Sequence, residues 1–272
     1  MKIICLAENT EGVSGCEAEH GLSLYIETKK HKILLDTGAS DLFAVNAEKL
    51  GIDLTAVDTV VLSHGHYDHS GGIMTFAEIN PNAEIYLRRN AGNDFYHDER
   101  YIGIDKNILE LPQIVFTDEY LEIDDTLTLF SGITGRKYFS KSNLALTERT
   151  ANGEIQDNFS HEQCLVISEN GKRTLVSGCA HNGVLNILDK YSELFDGKPD
   201  TVITGFHMMK KTDYTEVGGA PLLGVRGNVV KAHGSCNGHA MACSIRQAVQ
   251  MIEGGVVEKI EALLPRDEQK AE

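Results

Sequence analysis

The chain has 272 residues, of which 42% are hydrophobic, enough to bury the core of an ordinary globular protein with one large or two small domains. Its formal net charge of −15 argues against nucleic acid and anionic membranes as partners, because binding to them depends mainly on clustered Lys and Arg. No apolar run approaches the roughly 18 residues of a membrane span, and the apolar stretch at residues 1–7 is too short for a signal peptide.

Short apolar runs bounded by turn residues predict strands in the first third of the chain. These strands are expected at residues 2–7, 22–27, 32–35 and 59–62. Helical spacing of apolar residues predicts a helix at about residues 40–50, between the third and fourth strands. The spacing of Ile73, Phe76 and Ile79 predicts a second helix, which is followed by a strand at residues 84–87.

Residues 88–160 are polar and irregular, with only short apolar runs, and we expect them to form loops over a site. A regular pattern then returns and predicts a hairpin, a helix and a final strand. The hairpin strands are expected at residues 163–168 and 174–177, the helix at 184–194 and the last strand at 201–204.

The run from His64 to His69 carries the clearest chemical signal in the chain, four potential metal ligands in six residues directly after a predicted buried strand. In an extended or tightly turned loop, His64 and His66 can face one cavity, while Asp68 and His69 reach a neighbouring position. Imidazole nitrogen suits Zn, Fe, Mn or Co, and a carboxylate oxygen suits a second cation. A solvated polar loop is the alternative, but it does not explain the density of ligands.

Two stretches resemble the metallo-β-lactamase superfamily. Residues 63–72, Ser-His-Gly-His-Tyr-Asp-His-Ser-Gly-Gly, are similar to its H-x-H-x-D-H signature, and residues 35–38, Leu-Asp-Thr-Gly, are similar to the Asp-x-Gly upstream of it. The resemblance implies an α/β protein with an αββα sandwich, in which two sheets lie face to face with helices outside. It also implies a metal-dependent hydrolase.

Four further stretches resemble one branch of this superfamily, which includes the dihydropterin-ribofuranosyl-aminobenzene-phosphate synthases. They lie at residues 19–23, 159–163, 177–183 and 204–208, and the resemblance covers about residues 1–215. The branch also contains many bacterial hydrolase-like members, so the substrate stays open between a phosphoester, a pterin-related compound and another small molecule. An anionic small molecule is the expected partner, and the oligomeric state is left open.

The resemblance implies a ligand set for two metal positions. His64 and His66 would hold the first metal with His161 as the third ligand, and Asp68 and His69 would hold the second. Zinc is the expected metal, with iron or manganese as alternatives, at one or two ions per chain. Such a cation lowers the pKa of water from near 15.7 toward about 7. Asp68 would then be the catalytic residue, as a ligand and as the acceptor that orients the attacking water.

Cys179 stands where most of the superfamily has a bridging Asp. A thiolate can ligate Zn or Fe, so Cys179 is a candidate ligand, with His181 as its competitor and His207 as a further candidate for the second metal. The six cysteines are otherwise scattered without a C-x-x-C pair, which indicates reduced thiols and a cytoplasmic protein. Four cations could bind an anionic substrate, although such side chains are usually only solvated: Arg88, Arg89, Lys137 and Lys141.

The chain from about residue 213 breaks this pattern and resembles the C-terminal portion of phosphate acyltransferase. We therefore expect two segments, a metallo-β-lactamase-like domain at residues 1–212 and a C-terminal segment at 213–272. The tail is expected to contain a strand at 228–232 and a helix at about 240–252. It lacks the His-Cys-Thr-Gly motif with which the resembling branch usually ends. A metal-binding but catalytically impaired fusion protein is therefore the alternative to an active hydrolase.

Overall fold

The computed structural model describes residues 1–10, 15–136, 139–205 and 207, with the backbone alone at 219–222 and 229–232. The predicted helix at 240–252 and Lys137 lie outside the described residues, and so does the side chain of Lys141. The chain divides into two compact units, Met1–Met209 and Lys210–Glu272. The domain boundary between residues 212 and 213 stays a prediction. Among the described residues, no helix has the length and apolar character needed to cross a membrane.

The described part of the first unit contains short strands and few helices. The α-helices are α1 Leu42–Lys49, α2 Tyr67–Ser70, α3 Ile73–Ile79 and α4 Val184–Leu194. The first eight strands are β1 Lys2–Ala7, β2 Ser23–Glu27, β3 Lys32–Leu35, β4 Thr59–Val61, β5 Glu84–Arg88, β6 Asp94–His97, β7 Arg100–Tyr101 and β8 Ile114–Thr117. The next seven are β9 Tyr120–Glu122, β10 Leu127–Phe130, β11 Leu146–Thr150, β12 Gly153–Gln156, β13 Cys164–Glu169, β14 Lys172–Val176 and β15 Thr201–Ile203.

Two larger sheets organise the first unit. The first has the order β1-β2-β3-β4-β5-β8, in which β1, β2 and β3 are antiparallel and β3, β4, β5 and β8 are parallel. The second has the order β15-β14-β13-β10-β9, with β14 and β15 parallel and the other pairs antiparallel. Parallel neighbours need a crossover, and α1, α3 and α4 lie in the connections from β3 to β4, from β4 to β5 and from β14 to β15. The connection from β5 to β8 contains β6 and β7 instead of an α-helix.

The β13–β14 hairpin turns at Asn170 and Gly171, whose φ angles are 55° and 73°. Two central residues with positive φ make the kind of turn that matches the twist of the flanking strands, and Asn-Gly is the favoured pair there. The predicted hairpin is therefore confirmed. The predicted helices at 40–50 and 184–194 are also confirmed, as α1 and α4.

The apolar side chains of the two sheets form successive layers. In β3, Ile33 and Leu35 lie in the cluster between the sheets, whereas Leu34 points to the opposite side, where Phe43 of α1 and Phe76 of α3 pack. The outer face of the second sheet packs against α4 through a third cluster. The order of layers is thus helix, sheet, sheet, helix, and the expected αββα sandwich is confirmed.

The expectation of loops across residues 88–160 was wrong in large part. This region contains a third sheet with the order β12-β11-β6-β7, all antiparallel. The side chains of β7 and β12 are exposed, so these strands lack the alternating apolar pattern on which a sequence-based prediction depends. A few side chains of the region, Phe95 and Leu146 among them, form a small apolar cluster with Phe159 beside the histidines.

The second unit is described only as two paired strands, β16 Gly219–Leu222 and β17 Val229–Ala232. They are antiparallel, with Gly219 opposite Ala232. The predicted strand at residues 228–232 is confirmed by β17.

Candidate metal centre

The loops that carry the predicted ligands meet where several strands of the two larger sheets end. The His64–His69 segment follows β4, residues 177–183 follow β14, and His207 follows β15, whereas His161 immediately precedes β13. Because β13 is antiparallel to β14, its beginning lies beside the end of β14. The topology therefore brings residues from distant parts of the chain to one edge of the sandwich.

These loops hold several non-glycine residues in the left-handed region of backbone space. Among the described residues, six non-glycine residues have positive φ, and four of them, Asp36, Phe159, Ala180 and His207, lie in or beside these loops. This backbone conformation costs free energy at a non-glycine residue, and it persists only where the surrounding structure holds the residue in place. At Gly178 the backbone approaches so closely that a β-carbon would overlap Ser63 Oγ.

All eight side chains that the sequence suggested as ligands lie in one cluster. The His64 ring centroid is 4.7 Å from His66, 4.1 Å from His69 and 4.7 Å from His181, and the His181 centroid is 4.0 Å from that of His207. The full set is His64, His66, Asp68, His69, His161, Cys179, His181 and His207.

Asp36 orients two of these histidines from behind. It accepts hydrogen bonds from the Ser63 N–H and the Ser63 hydroxyl, both at 2.7 Å, and lies 2.6 Å from His69 Nδ1. The Ser63 hydroxyl has one proton, which goes to Asp36, so His64 Nδ1 at 2.8 Å must donate to Ser63 Oγ. With its proton on Nδ1, neutral His64 presents the lone pair of Nε2 to the cluster.

His181 is oriented in the same way by Asn143. The Asn143 amide nitrogen donates to the His181 carbonyl at 2.6 Å, which leaves Asn143 Oδ1 to accept from His181 Nδ1 at 3.2 Å. The Nε2 atoms of His64 and His181 then face each other at 3.2 Å with two lone pairs. Burial, followed by the neighbouring histidines, holds the pKa of both rings well below the ordinary value. Two neutral acceptors at this distance repel, and a nearby cation would remove that repulsion.

Cys179, His69 and Asp68 form the adjoining part of the cluster. Cys179 Sγ lies 3.1 Å from His69 Nε2, and Asp68 Oδ2 lies 3.6 Å from the same nitrogen. Burial lowers the pKa of His69, but Cys179, Asp36 and Asp68 more than offset this effect and raise it well above its ordinary value. A thiol, an imidazole and a carboxylate are thus in position to share a cation. Ligand atoms of His64, Cys179 and His181 also lie within 4.8 Å of one another.

His20 and His207 lie at the edge of this group. His20 Nε2 is 3.4 Å from Asp68 Oδ2, and its side chain is 49% exposed. His20 lies in the stretch at residues 19–23, which resembles the branch. The carbonyl of His207 accepts a hydrogen bond from Ser142 Oγ at 2.6 Å. Burial and then His66 lower the pKa of His207 to about 4.

Two buried carboxylates that sequence analysis missed also support the site. Glu162 accepts hydrogen bonds from the backbone N–H groups of His181 and Asn182 at 2.7 and 3.0 Å, and so fixes the loop that follows β14. Asp157 lies against His161 and His66, with Oδ2 at 3.1 and 3.8 Å from their Nε2 atoms. Asp157 carries no periodic or motif signal, whereas Glu162 lies in the stretch at residues 159–163 that resembles the branch. Only the tertiary structure shows the contacts that either carboxylate makes.

Two of the four cations expected to bind an anionic substrate, Arg88 and Arg89, have other partners. The Arg88 guanidinium donates to the Thr117 carbonyl at 2.8 Å, and the Arg89 guanidinium stacks 3.9 Å from the centroid of the Phe116 ring. These contacts hold both side chains against β8, the neighbour of β5. Their role in substrate binding stays a prediction.

Comparison with known proteins gives two separate similarities. Residues 17–135 match the metallo-beta-lactamase superfamily, and residues 198–259 match a family described as fatty acid synthesis protein. The solved structure of Tm1679, titled a metal-dependent hydrolase of the beta-lactamase superfamily, is 32% identical, with a TM-score of 0.66 and 78% of each chain covered.

Two curated relatives correspond to the two resemblances noted in the sequence. The 7,8-dihydropterin-6-methyl-4-(beta-D-ribofuranosyl)-aminobenzene-5'-phosphate synthase of Methanocaldococcus jannaschii is 28% identical, covering 77% of this chain and 78% of the relative. The phosphate acyltransferase of Alkaliphilus oremlandii is 53% identical over 51 residues, which is 19% of this chain but only 15% of that enzyme. Both resemblances are confirmed.

Proposed function

The chain belongs to the metallo-β-lactamase superfamily, and from this premise we propose that it is a metal-dependent hydrolase of a small anionic molecule. A phosphoester or a pterin-related compound is the proposed substrate class, since one relative is named as a synthase of a pterin-containing phosphate. The observation that carries the proposal is the pair of Nε2 lone pairs of His64 and His181, fixed toward each other by Ser63 and Asn143.

The donor set fits a transition-metal ion. Imidazole nitrogens and a thiolate are ligands that zinc accepts readily, and iron or manganese can also use imidazole and carboxylate ligands. The proposed first position uses His64, His66 and His181. The proposed second position uses Asp68, His69 and Cys179, with His207 beside them.

His181 takes the place that the family resemblance gave to His161. Both ring nitrogens of His161 have protein partners, since Nδ1 accepts from the Gly65 N–H at 2.9 Å and Nε2 lies 3.1 Å from Asp157. His181 Nε2 instead faces His64 Nε2. Geometry therefore favours His181 as the third ligand of the first position.

A divalent cation bound in this cluster would lower the pKa of a water molecule toward about 7, which supplies a nucleophile at neutral pH. Asp68 is the side chain that would accept a hydrogen bond from this water. Burial raises the pKa of Asp68, but His69, His66 and His20 together lower it below its ordinary value, so the carboxylate is available as an acceptor. The exposed edge of His20 connects this carboxylate to solvent.

Metal analysis combined with a substrate panel tests this function. We expect one to two transition-metal ions per chain after metal-replete expression, and turnover of at least one class among phosphoesters, lactones and thioesters. Added Zn, Mn or Fe should also raise the melting temperature, because a ligand that binds only the native state stabilises it. Less than about 0.2 metal equivalents, without any such stabilisation, would overturn the proposal.

A metal-binding protein without turnover is the second candidate. The observation that favours it is the match of residues 198–259 to a different family, in a region where the resembling branch usually places its last motif. The two candidates agree on metal content and differ in turnover. Full metal occupancy with no hydrolysis across the panel would favour the second candidate.

A further inference from the structure

A third group of potential ligands lies beside the proposed metal positions and shares only His66 with them. It consists of His66, Asp157 and His161, whose ligand atoms lie within 4.8 Å of one another and whose side chains are all buried. Asp157 is only 1% exposed, and its second oxygen accepts from the Phe159 N–H at 2.7 Å. A buried carboxylate is costly unless it is paired, so its partners indicate what it does.

The hydrogen bonds of His161 fix its tautomer. Because the Gly65 N–H can only donate, His161 Nδ1 must be the acceptor in their 2.9 Å contact. A neutral imidazole then carries its proton on Nε2, which donates to Asp157 at 3.1 Å. Neither nitrogen of His161 is free for a cation. The ring instead ties Gly65, between His64 and His66, to Asp157.

His66 has a ring nitrogen without a partner in this same place. The residue is 4% exposed, and its Nε2 atom is buried and makes no hydrogen bond. Its closest carboxylate is Asp157, with Oδ2 at 3.8 Å. Phe95 and Phe159 pack edge-on against the His66 ring at 5.8 and 6.4 Å between centroids. If His66 binds a cation through Nδ1, its Nε2 carries a proton and requires an acceptor, and Asp157 is the buried acceptor within reach.

We infer that Asp157 and His161 are positioning residues: Asp157 orients His66 by accepting from its Nε2–H, and His161 holds the His64–His66 turn through Gly65. This inference rests on the proposed metal centre and extends it. A carboxylate that accepts from the second nitrogen of a ligating histidine fixes the ring and strengthens it as a ligand. The alternative is that His161 itself is a ligand, as the family resemblance implies.

Cobalt(II) binding distinguishes these roles, measured on the full chain by chelator competition and by the visible absorption of the bound ion. Asp157→Asn should keep the stoichiometry and weaken cobalt affinity by about 10- to 100-fold, with a changed visible spectrum. His161→Asn places an amide oxygen where His161 Nδ1 accepts from the Gly65 N–H. This variant should keep the cobalt stoichiometry, and its visible spectrum should indicate the same number of cobalt ligands as in the wild type. Asp124→Asn is the matched control, because Asp124 pairs with His31 instead, and should change neither readout.

Each outcome decides a separate point. If the wild-type chain binds no cobalt, the proposed function and this inference both fail. If the wild type binds but Asp157→Asn binds with the same affinity and spectrum, the inference about Asp157 alone fails. If His161→Asn loses a full cobalt equivalent, His161 is a ligand and not a positioning residue. Should Asp157→Asn not fold, Asp157→Glu replaces it, with partial recovery of the wild-type spectrum expected from the retained carboxylate.

Discussion

Two histidine environments in the first unit differ in what surrounds the ring nitrogens. His31 lies between two carboxylates, with Nδ1 at 2.8 Å from Asp58 and Nε2 at 3.0 Å from Asp124. Burial lowers the pKa of His31, but the two carboxylates more than offset this and raise it above its ordinary value. For His64 and His181, burial and neighbouring imidazoles hold the pKa well below that value.

The difference shows how one residue type serves two purposes. His31 has a protein partner for each nitrogen and connects Asp58, just before β4 in the first sheet, to Asp124, in the turn between β9 and β10 of the second. His64 and His181 each have one nitrogen paired and the other directed at the opposite ring. The contacts of His31 link the two sheets, whereas the contacts of His64 and His181 leave two Nε2 atoms as acceptors for a cation.

The largest expected effect comes from removing His66, whose ring lies beside His64 and His181 in the proposed first position. His66→Ala should remove most of the bound metal and reduce any hydrolytic rate by at least about 100-fold, because a ligand is lost from the first position. Elemental analysis and initial rates measure this. His31→Ala is the control and should change neither quantity. Full metal content and full rate in His66→Ala would show that the cluster has been misassigned.

A smaller effect is expected from exchanging the C-terminal segment. Replacing the chain from about residue 213 with a C-terminus that carries the His-Cys-Thr-Gly motif should raise metal occupancy or turnover by at least about tenfold, since a missing ligand or supporting partner typically costs 10- to 100-fold. Metal content, melting temperature and turnover are compared between the two chains. Equal values on all three measures would mean that the native tail already serves the site.

The smallest expected effect is the pH dependence of stability that His31 contributes. A raised pKa in the folded state means that this stabilisation is fully present below the unfolded value of about 6.5 and is lost as pH rises through the folded pKa. The difference in melting temperature between the wild type and His31→Ala should therefore be larger by about 2–4 °C at about pH 5.5 than at about pH 9, with the wild type the more stable. An equal difference at both values would show that folding does not raise the pKa of His31.

Much of the fold was predictable because local patterns specify it. The apolar runs of β3 and β4, the Asn170-Gly171 turn and the helical spacing over α4 each depend on residues close in sequence. The third sheet was missed because its strands are short and two of them, β7 and β12, are exposed, so backbone pairing and not burial defines these two strands.

The candidate site was predictable to a similar degree. His64 to His69 is dense enough in sequence to be recognised without a structure, and the family resemblance supplied the more distant candidates. The roles of Asp157 and Glu162 were not predictable, because each depends on a partner brought close only by the fold. The same applies to the tautomers of His64 and His181, which Ser63 and Asn143 determine through contacts across the cluster.

The third sheet has a consequence for how substrate preference could change in such a protein. Its strands β6 and β11 contribute Phe95 and Leu146 to the apolar cluster beside the histidines, while β7 and β12 expose their side chains to solvent. We therefore expect substitutions on the exposed strands to leave the layers that hold the ligands undisturbed. We expect this sheet to tolerate diversification by directed evolution better than the rest of the first unit, which makes it a suitable place to graft new specificity while the metal chemistry stays intact.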